Sequence, residues 1–138
     1  MGRLLIGKAQ FKLNINKNRL EIMKSFGSSS EFINDADIAW ETVAPGVKRK
    51  ILGYDDKIML VRVHFDEGGI GQMHEHYHSQ VTYVVSGAFE TTIAGKTQTL
   101  RAGDSFYIPP HALHGAICRE AGELIDVFSP IREDFMEG

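Results

Sequence analysis

The chain has 138 residues, a formal net charge of −3 with both signs interspersed, and 43% hydrophobic and 24% charged residues. That is enough for one globular domain and too little for two comfortable ones, and without a basic block nucleic acid is not an expected partner. A single cysteine, Cys118, excludes an internal disulfide, fits a reducing compartment and is expected buried on a strand.

Leu4-Leu5-Ile6 is too short for the apolar core of a secretory signal and no run approaches a membrane span, so a cytoplasmic location with no membrane partner is expected. Residues 1–36 read as an arm, flexible or an edge strand, ahead of one barrel domain over residues 37–138. The arm carries scattered Lys, Arg and Asn, then the loop-like Ser28-Ser29-Ser30. Two readings of it stay open. It is a dispensable stretch ahead of an alternative start at Met23, or an edge strand or swapped arm built on alternating Phe11, Leu13 and Ile15. A short helix is expected near residues 35–40, with Asp35 as its cap.

From Trp40 onward the chain reads as β-structure. Over residues 57–65, Ile58, Leu60 and Arg62 fall on one face and Met59, Val61, Val63 and Phe65 on the other. Strands follow at residues 81–85 and 89–93, then a turn at Ala94-Gly95-Lys96 and a returning strand at 97–100. Residues 105–108, 115–118 and 124–128 complete the set, with Pro109-Pro110 as a strand break. Many short strands punctuated by Gly, Pro and Asp predict an all-β sandwich or barrel. Edge strands in a barrel of this size need cover, so a homodimer is expected. Lys48-Arg49-Lys50 reads by default as a solvated charge run.

Four polar residues stand at metal-ligand spacing: His74, His76 and Gln80 in Gly68-x5-His74-x-His76-x3-Gln80-x6-Gly87, and His114 in Gly103-x5-Pro109-x4-His114. Residues two apart on a strand share a face, so His74 and His76 aim inward from one strand end. Gln80 opens the next strand and His114 a later one. Imidazole suits a divalent transition metal such as Ni, Zn, Mn or Fe. The neutral Gln80 amide leaves the ion's charge uncompensated, which favours an anionic ligand and Lewis-acid chemistry. His78 shares the parity of His74 and His76 but falls in the turn, and is expected beside the ligands or at the lip, the alternative being that it replaces Gln80 on the metal. His111, after two prolines, is expected in a loop at the pocket mouth. Arg49, Arg62, Tyr83 and Tyr107 are further pocket candidates, Arg62 pointing inward and meeting a carboxylate there.

This spacing resembles the two motifs of the cupin superfamily, small β-barrels of jelly-roll type. Gln80 stands where most cupins have Glu, His111 where Gly is common and Cys118 where Asn is common. Residues 40–136 are similar to pectin-degradation proteins of the KdgF type. The similarity lies in Gly46-Val47-Lys48-Arg49-Lys50-Ile51-Leu52, in His74-x-His76-x-His78-x-Gln80, and in Gly103-Asp104-Ser105-Phe106-Tyr107-Ile108-Pro109. The most specific stretch is the tail Ile125-Asp126-Val127-Phe128-Ser129-Pro130-Ile131-Arg132-Glu133-Asp134-Phe135, which generic cupins do not share.

The resemblance implies a metal-dependent enzyme that opens the ring of 4,5-unsaturated monouronates from pectin or alginate breakdown to 4-deoxy-5-keto uronates. It implies His74, His76, Gln80 and His114 as metal ligands, and Asp126, Phe128 and Arg132 as catalytic and substrate-binding positions. On that resemblance Asp126 would serve as acid and base, Arg132 would clamp the uronate carboxylate and Phe128 would stack on the sugar ring. Read alone, Asp126 is a strand-edge surface aspartate, Arg132 an exposed arginine of the acidic tail and Phe128 a core residue. Two other readings remain: a metal dioxygenase of the quercetinase-like sort, and a sugar-binding cupin without catalysis.

Overall fold

The computed structural model describes residues 3–6, 9–16 and 19–137. Among them the strands run β1 (Arg3–Ile6), β2 (Ala9–Asn16), β3 (Arg19–Ser25), β4 (Glu41–Ala44), β5 (Val47–Asp55), β6 (Ile58–Phe65) and β7 (Ile70–His74). They continue with β8 (Ser79–Val84), β9 (Ala88–Ile93), β10 (Lys96–Arg101), β11 (Ser105–Ile108), β12 (His114–Glu120) and β13 (Gly122–Ser129). A 3-10 turn at Asp35–Asp37 and the single-turn helix α1 (Glu133–Met136) are the helical elements of the described residues. No helix there is long and apolar enough to cross a membrane.

Two antiparallel sheets make the jelly roll, one in the order β10-β9-β12-β7 and the other β11-β8-β13-β6-β5-β4. The strands β1-β2-β3 form a third sheet of their own. Phe11, Leu13 and Ile15 fall on β2 of that sheet, and the described residues do not say what their side chains meet. β6 divides into the two faces that its alternation predicts, and the Arg62 face is the outer one. Met59, Val61, Val63 and Phe65 are buried, and Ile58, Leu60 and Arg62 lie on the opposite face. Val84, Phe89, Leu124 and Phe128 join them in one core, and Cys118 is buried on β12 as expected.

That core also takes Phe26, which precedes the barrel strands. Ser25 Oγ donates to Asp56 Oδ2 at 2.6 Å and the Phe26 backbone N–H donates to Asp56 Oδ1 at 3.0 Å. The Ser29 N–H donates to the Tyr54 carbonyl at 2.9 Å, and the Tyr54 N–H returns to Ser29 Oγ at 3.0 Å. The serine-rich stretch is thereby fastened along β5.

Asp35 does not cap its turn. The residue at the cap position is Asn34, and no side chain bonds there. Asp35 instead receives Lys50 Nζ at 2.8 Å and Arg62 Nη1 at 2.7 Å. Arg62 gives its other edge to Glu123 at 2.8 and 2.9 Å. Arg62 thus meets carboxylates, but on the outer face of the sheet and away from the core, because its parity is that of the solvent side. Lys50 departs from the solvated reading too. It is 6% exposed, and its ammonium is satisfied by the Asp35 carboxylate and carbonyl.

The chain crosses itself most tightly where β8 leads into β9 beside the start of β13. A Cβ on Gly87, at φ +84°, would stand 2.5 Å from the Glu120 carbonyl oxygen, and one on Gly122 2.1 Å from that of Ser86. Only glycine fits both strands through this crossing.

Candidate functional site

The two sheets bring the motif residues together at one end of the barrel. β12 lies between β9 and β7, and its register sets His114 opposite His74. β13 lies between β8 and β6, and its register sets Phe128 opposite Gln80 and Asp126 opposite Thr82. His74 closes β7 and Gln80 is the second residue of β8. His76 departs from expectation in one respect: it lies beyond the end of β7, in the connection to β8. That connection is held where the His111 backbone N–H donates to the His76 carbonyl at 2.8 Å. His111 has a left-handed φ of 65°, and its exposed side chain does not line the cavity.

The ring centroids of His74 and His114 are 4.3 Å apart, those of His76 and His114 4.8 Å, and those of His74 and His76 5.5 Å. One nitrogen from each ring lies within 4.8 Å of the others. All three rings turn the opposite nitrogen to a backbone carbonyl. His74 Nδ1 faces Gln72 O at 2.7 Å, His76 Nδ1 faces His78 O at 3.1 Å, and His114 Nδ1 faces Ala112 O at 2.8 Å. A carbonyl only accepts, so each Nδ1 carries the proton and each Nε2 holds a lone pair.

Those lone pairs want a Lewis acid. His114 is 5% exposed, and its Nε2 is buried with no hydrogen-bond partner. His76 Nε2 lies 3.0 Å from Gln80 Oε1, so two acceptors face each other. The Gln80 amide is oriented by its other end, where Nε2 donates to Thr82 Oγ1 at 3.0 Å and to Asp126 Oδ1 at 3.4 Å. Burial works against protonation here: it lowers the pKa of His76, with the Arg132 charge adding to it, and pushes that of His114 down to about 4. Neutral imidazoles with fixed tautomers and converging lone pairs fit a divalent metal.

Beside the histidines is a cavity of about 220 Å³. His74, Gln80, His114, Asp126, Phe128 and Arg132 all line it, with Arg49, Phe135 and apolar β6 side chains. Its size suits a small ligand, below the roughly 300–1,000 Å³ of drug-sized sites. Burial pushes the Asp126 carboxyl up to about 6, against hydrogen bonds and the Arg132 charge that pull it down. Thr82 Oγ1 donates to Asp126 Oδ1 at 2.6 Å. The Oδ2 oxygen has no hydrogen bond among the described residues.

Arg132 is 8% exposed. Its Nε and Nη2 donate to Asp134 at 3.0 and 2.8 Å, and its guanidinium lies over the Phe135 and Phe128 rings at 4.2 and 5.0 Å. Arg49 lies over the same Phe135 ring at 3.9 Å and pairs with Glu41. Phe128 is buried with its ring edge-on to His76, 5.8 Å between centroids. Tyr83 and Tyr107 leave the pocket set. Both are half exposed on β8 and β11, where the period of two turns them away from the cavity. Thr82 and Phe135 were not singled out from the sequence. The signal for Thr82 was its shared parity with Gln80 on one strand. Phe135 lies past the last strand, where no periodicity points to a pocket.

The cupin domain model matches residues 61–128. The chain is 43% identical over 107 residues to the pectin degradation protein KdgF of Dickeya dadantii (strain 3937), covering 76% of this chain and 96% of that protein. Among solved structures, an RmlC-like cupin from Shewanella frigidimarina NCIMB 400 superposes with a TM-score of 0.77 at 46% identity, covering 78% of this chain and 97% of that one. KdgF from a Halomonas species gives 0.74 at 40% identity, covering 78% and 99%. Oxalate decarboxylase of Bacillus subtilis shares the fold at 20% identity, with a TM-score of 0.64 over 72% of this chain and 29% of that one.

Proposed function

The chain belongs to the KdgF family of pectin degradation proteins within the cupins, and from that premise we propose that it opens the ring of 4,5-unsaturated monouronates to 4-deoxy-5-keto uronates. The observation that carries the reading is the placement of one enclosed carboxylate, Asp126, and one buried guanidinium, Arg132, on a small cavity beside three converging histidines. The substrate is a cyclic hemiacetal whose ring oxygen is also an enol-ether oxygen.

Asp126 takes the anomeric hydroxyl proton through Oδ2, the oxygen that Thr82 and Gln80 leave unbonded. As C1 becomes an aldehyde, its bond to the ring oxygen breaks and that oxygen stays on C5 as an enolate. Asp126 then delivers a proton to C4, and the 5-keto product results. No atom is gained or lost, so the reaction is an isomerisation. Arg132 holds the carboxylate on C5, and Phe128 and Phe135 offer apolar faces to the sugar ring. His74, His76, His114 and the Gln80 oxygen would hold a divalent metal, which supplies Lewis-acid stabilisation of the negative charge that develops on oxygen.

The test is ultraviolet absorbance of a purified unsaturated monouronate mixed with the protein. Loss of the conjugated double bond is the expected result, and an unchanged spectrum with metal-loaded protein refutes the proposal. Removing a positioned acid–base group costs about 10²- to 10⁴-fold in rate, so Asp126→Asn is expected to lower kcat by that order with fold and metal content intact. Arg132→Ala is expected mainly to raise KM, because the carboxylate contact exists in both ground and transition states.

A further inference from the structure

The segment that carries Arg132 is fastened to the loop that carries the histidines by contacts that the proposed reaction does not use. His78, between His76 and Gln80, is 3% exposed. Its Nε2 lies 3.0 Å from the Ile131 carbonyl oxygen and 3.0 Å from Glu133 Oε1. Both partners only accept, so Nε2 carries the proton and donates to both. The Tyr77 hydroxyl donates to the same Glu133 oxygen, and the Tyr77 ring stacks on His78 with 4.0 Å between centroids.

The tail residues gripped in this way, Ile131 and Glu133, flank Arg132 on either side. Arg132's own ion pair runs to Asp134, within the same tail. That pair sets the guanidinium relative to the tail but not relative to the histidines. Tyr77, His78 and Glu133 do not line the cavity, so they do not reach a molecule bound there.

We propose that Tyr77, His78 and Glu133 form a clamp that positions the Arg132 guanidinium against the histidine centre and so sets how tightly a uronate carboxylate is held. The proposal rests on the reading that Arg132 binds that carboxylate. Glu133 is the hub of the clamp, since both Tyr77 and His78 donate to it. It is a positioning residue rather than a catalytic one.

The test uses the full-length, metal-loaded protein and three variants: Glu133→Ala, Arg132→Ala and the double. Glu133 stands at the start of the short helix α1 with its side chain partly exposed, so its truncation leaves the barrel core untouched. Glu133→Ala is expected to raise KM about three- to tenfold with kcat within about twofold, and with metal content and thermal midpoint unchanged. The double variant is expected to be no worse than Arg132→Ala alone, because the clamp acts only through that guanidinium. Additive effects overturn the proposal, as does an unchanged KM in Glu133→Ala.

A second readout is the Arg132 Nε–H resonance, expected to shift or broaden in Glu133→Ala. An unchanged resonance overturns the clamp, whatever the kinetics show. A normal KM in Arg132→Ala instead sinks the carboxylate contact and with it the kinetic part of the proposal, so the two failures are told apart.

Discussion

Gln80 divides its amide between two neighbours of opposite need. Its oxygen faces His76 Nε2 at 3.0 Å, and its nitrogen donates to Thr82 and, at 3.4 Å, to Asp126. A glutamate keeps the first contact and loses the second. It also sets a second anionic oxygen against Asp126, in a cavity where burial already penalises charge. Gln80→Glu is therefore expected to destabilise the metal-free protein by about 1–3 kcal/mol, and to regain much of that loss when a divalent metal is added. Thermal unfolding in chelator and in metal checks it. An equal loss under both conditions would place the glutamate away from the metal side. The motif spacing alone made this residue visible. Its second allegiance was not legible, because Asp126 lies 46 positions away and only the β8–β13 register joins the two.

Strand periodicity was the most readable signal at the level of elements. The alternation over residues 57–65 separates the two faces of β6 correctly, but a period of two does not say which face is buried. Arg62 is expected inward and stands on the outer face, with Met59, Val61, Val63 and Phe65 in the core. Local pattern failed where a partner came from far along the chain. Asp35 looks like a helix cap because its neighbours say so, yet its carboxylate belongs to Lys50 and Arg62. His76 leaves β7 because its carbonyl is held by His111, 35 residues on. The network of Asp35, Arg62 and Glu123, which ties the approach to β4 to β6 and β13, has a predictable acid response. The hydrogen bond from Lys50, then that from Arg62, holds the Asp35 carboxyl below its ordinary 3.8, and Arg62 holds Glu123 below 4.5. Both pKa values are depressed in the folded state, so the unfolded chain takes up protons first as pH falls. The stabilisation is complete above about pH 4.5 and is lost as pH drops through the lowered values. Glu123→Gln is expected to flatten the fall in urea midpoint between about pH 6 and about pH 3. A fall as steep as in the parent protein would mean that other carboxylates set the acid limb.

At the scale of the whole molecule, Phe26 joins the core and Ser25 and Phe26 bond Asp56, ten residues before the 36/37 boundary expected between arm and barrel. A chain starting at Met23 keeps the bonds to Asp56 and the buried Phe26 ring. It is expected to retain both thermal midpoint and turnover, since every described residue that lines the cavity lies beyond residue 42. A chain starting at Glu31 loses Phe26 from the core, at a cost of about 3–5 kcal/mol. If the two truncations melt alike, the ring contributes little. If the first one folds but loses turnover, the arm reaches the cavity.

The close crossing at Gly87 and Gly122 bears on how this chain tolerates sequence drift. The obstacles there are carbonyl oxygens and main-chain carbons rather than side chains. A side-chain clash can be relieved by trimming a neighbour, but no second-site substitution can trim a backbone. A saturation scan should therefore find both positions closed to all other residues in every genetic background, whereas cavity-lining positions such as Val61 and Ile108 accept paired exchanges of volume.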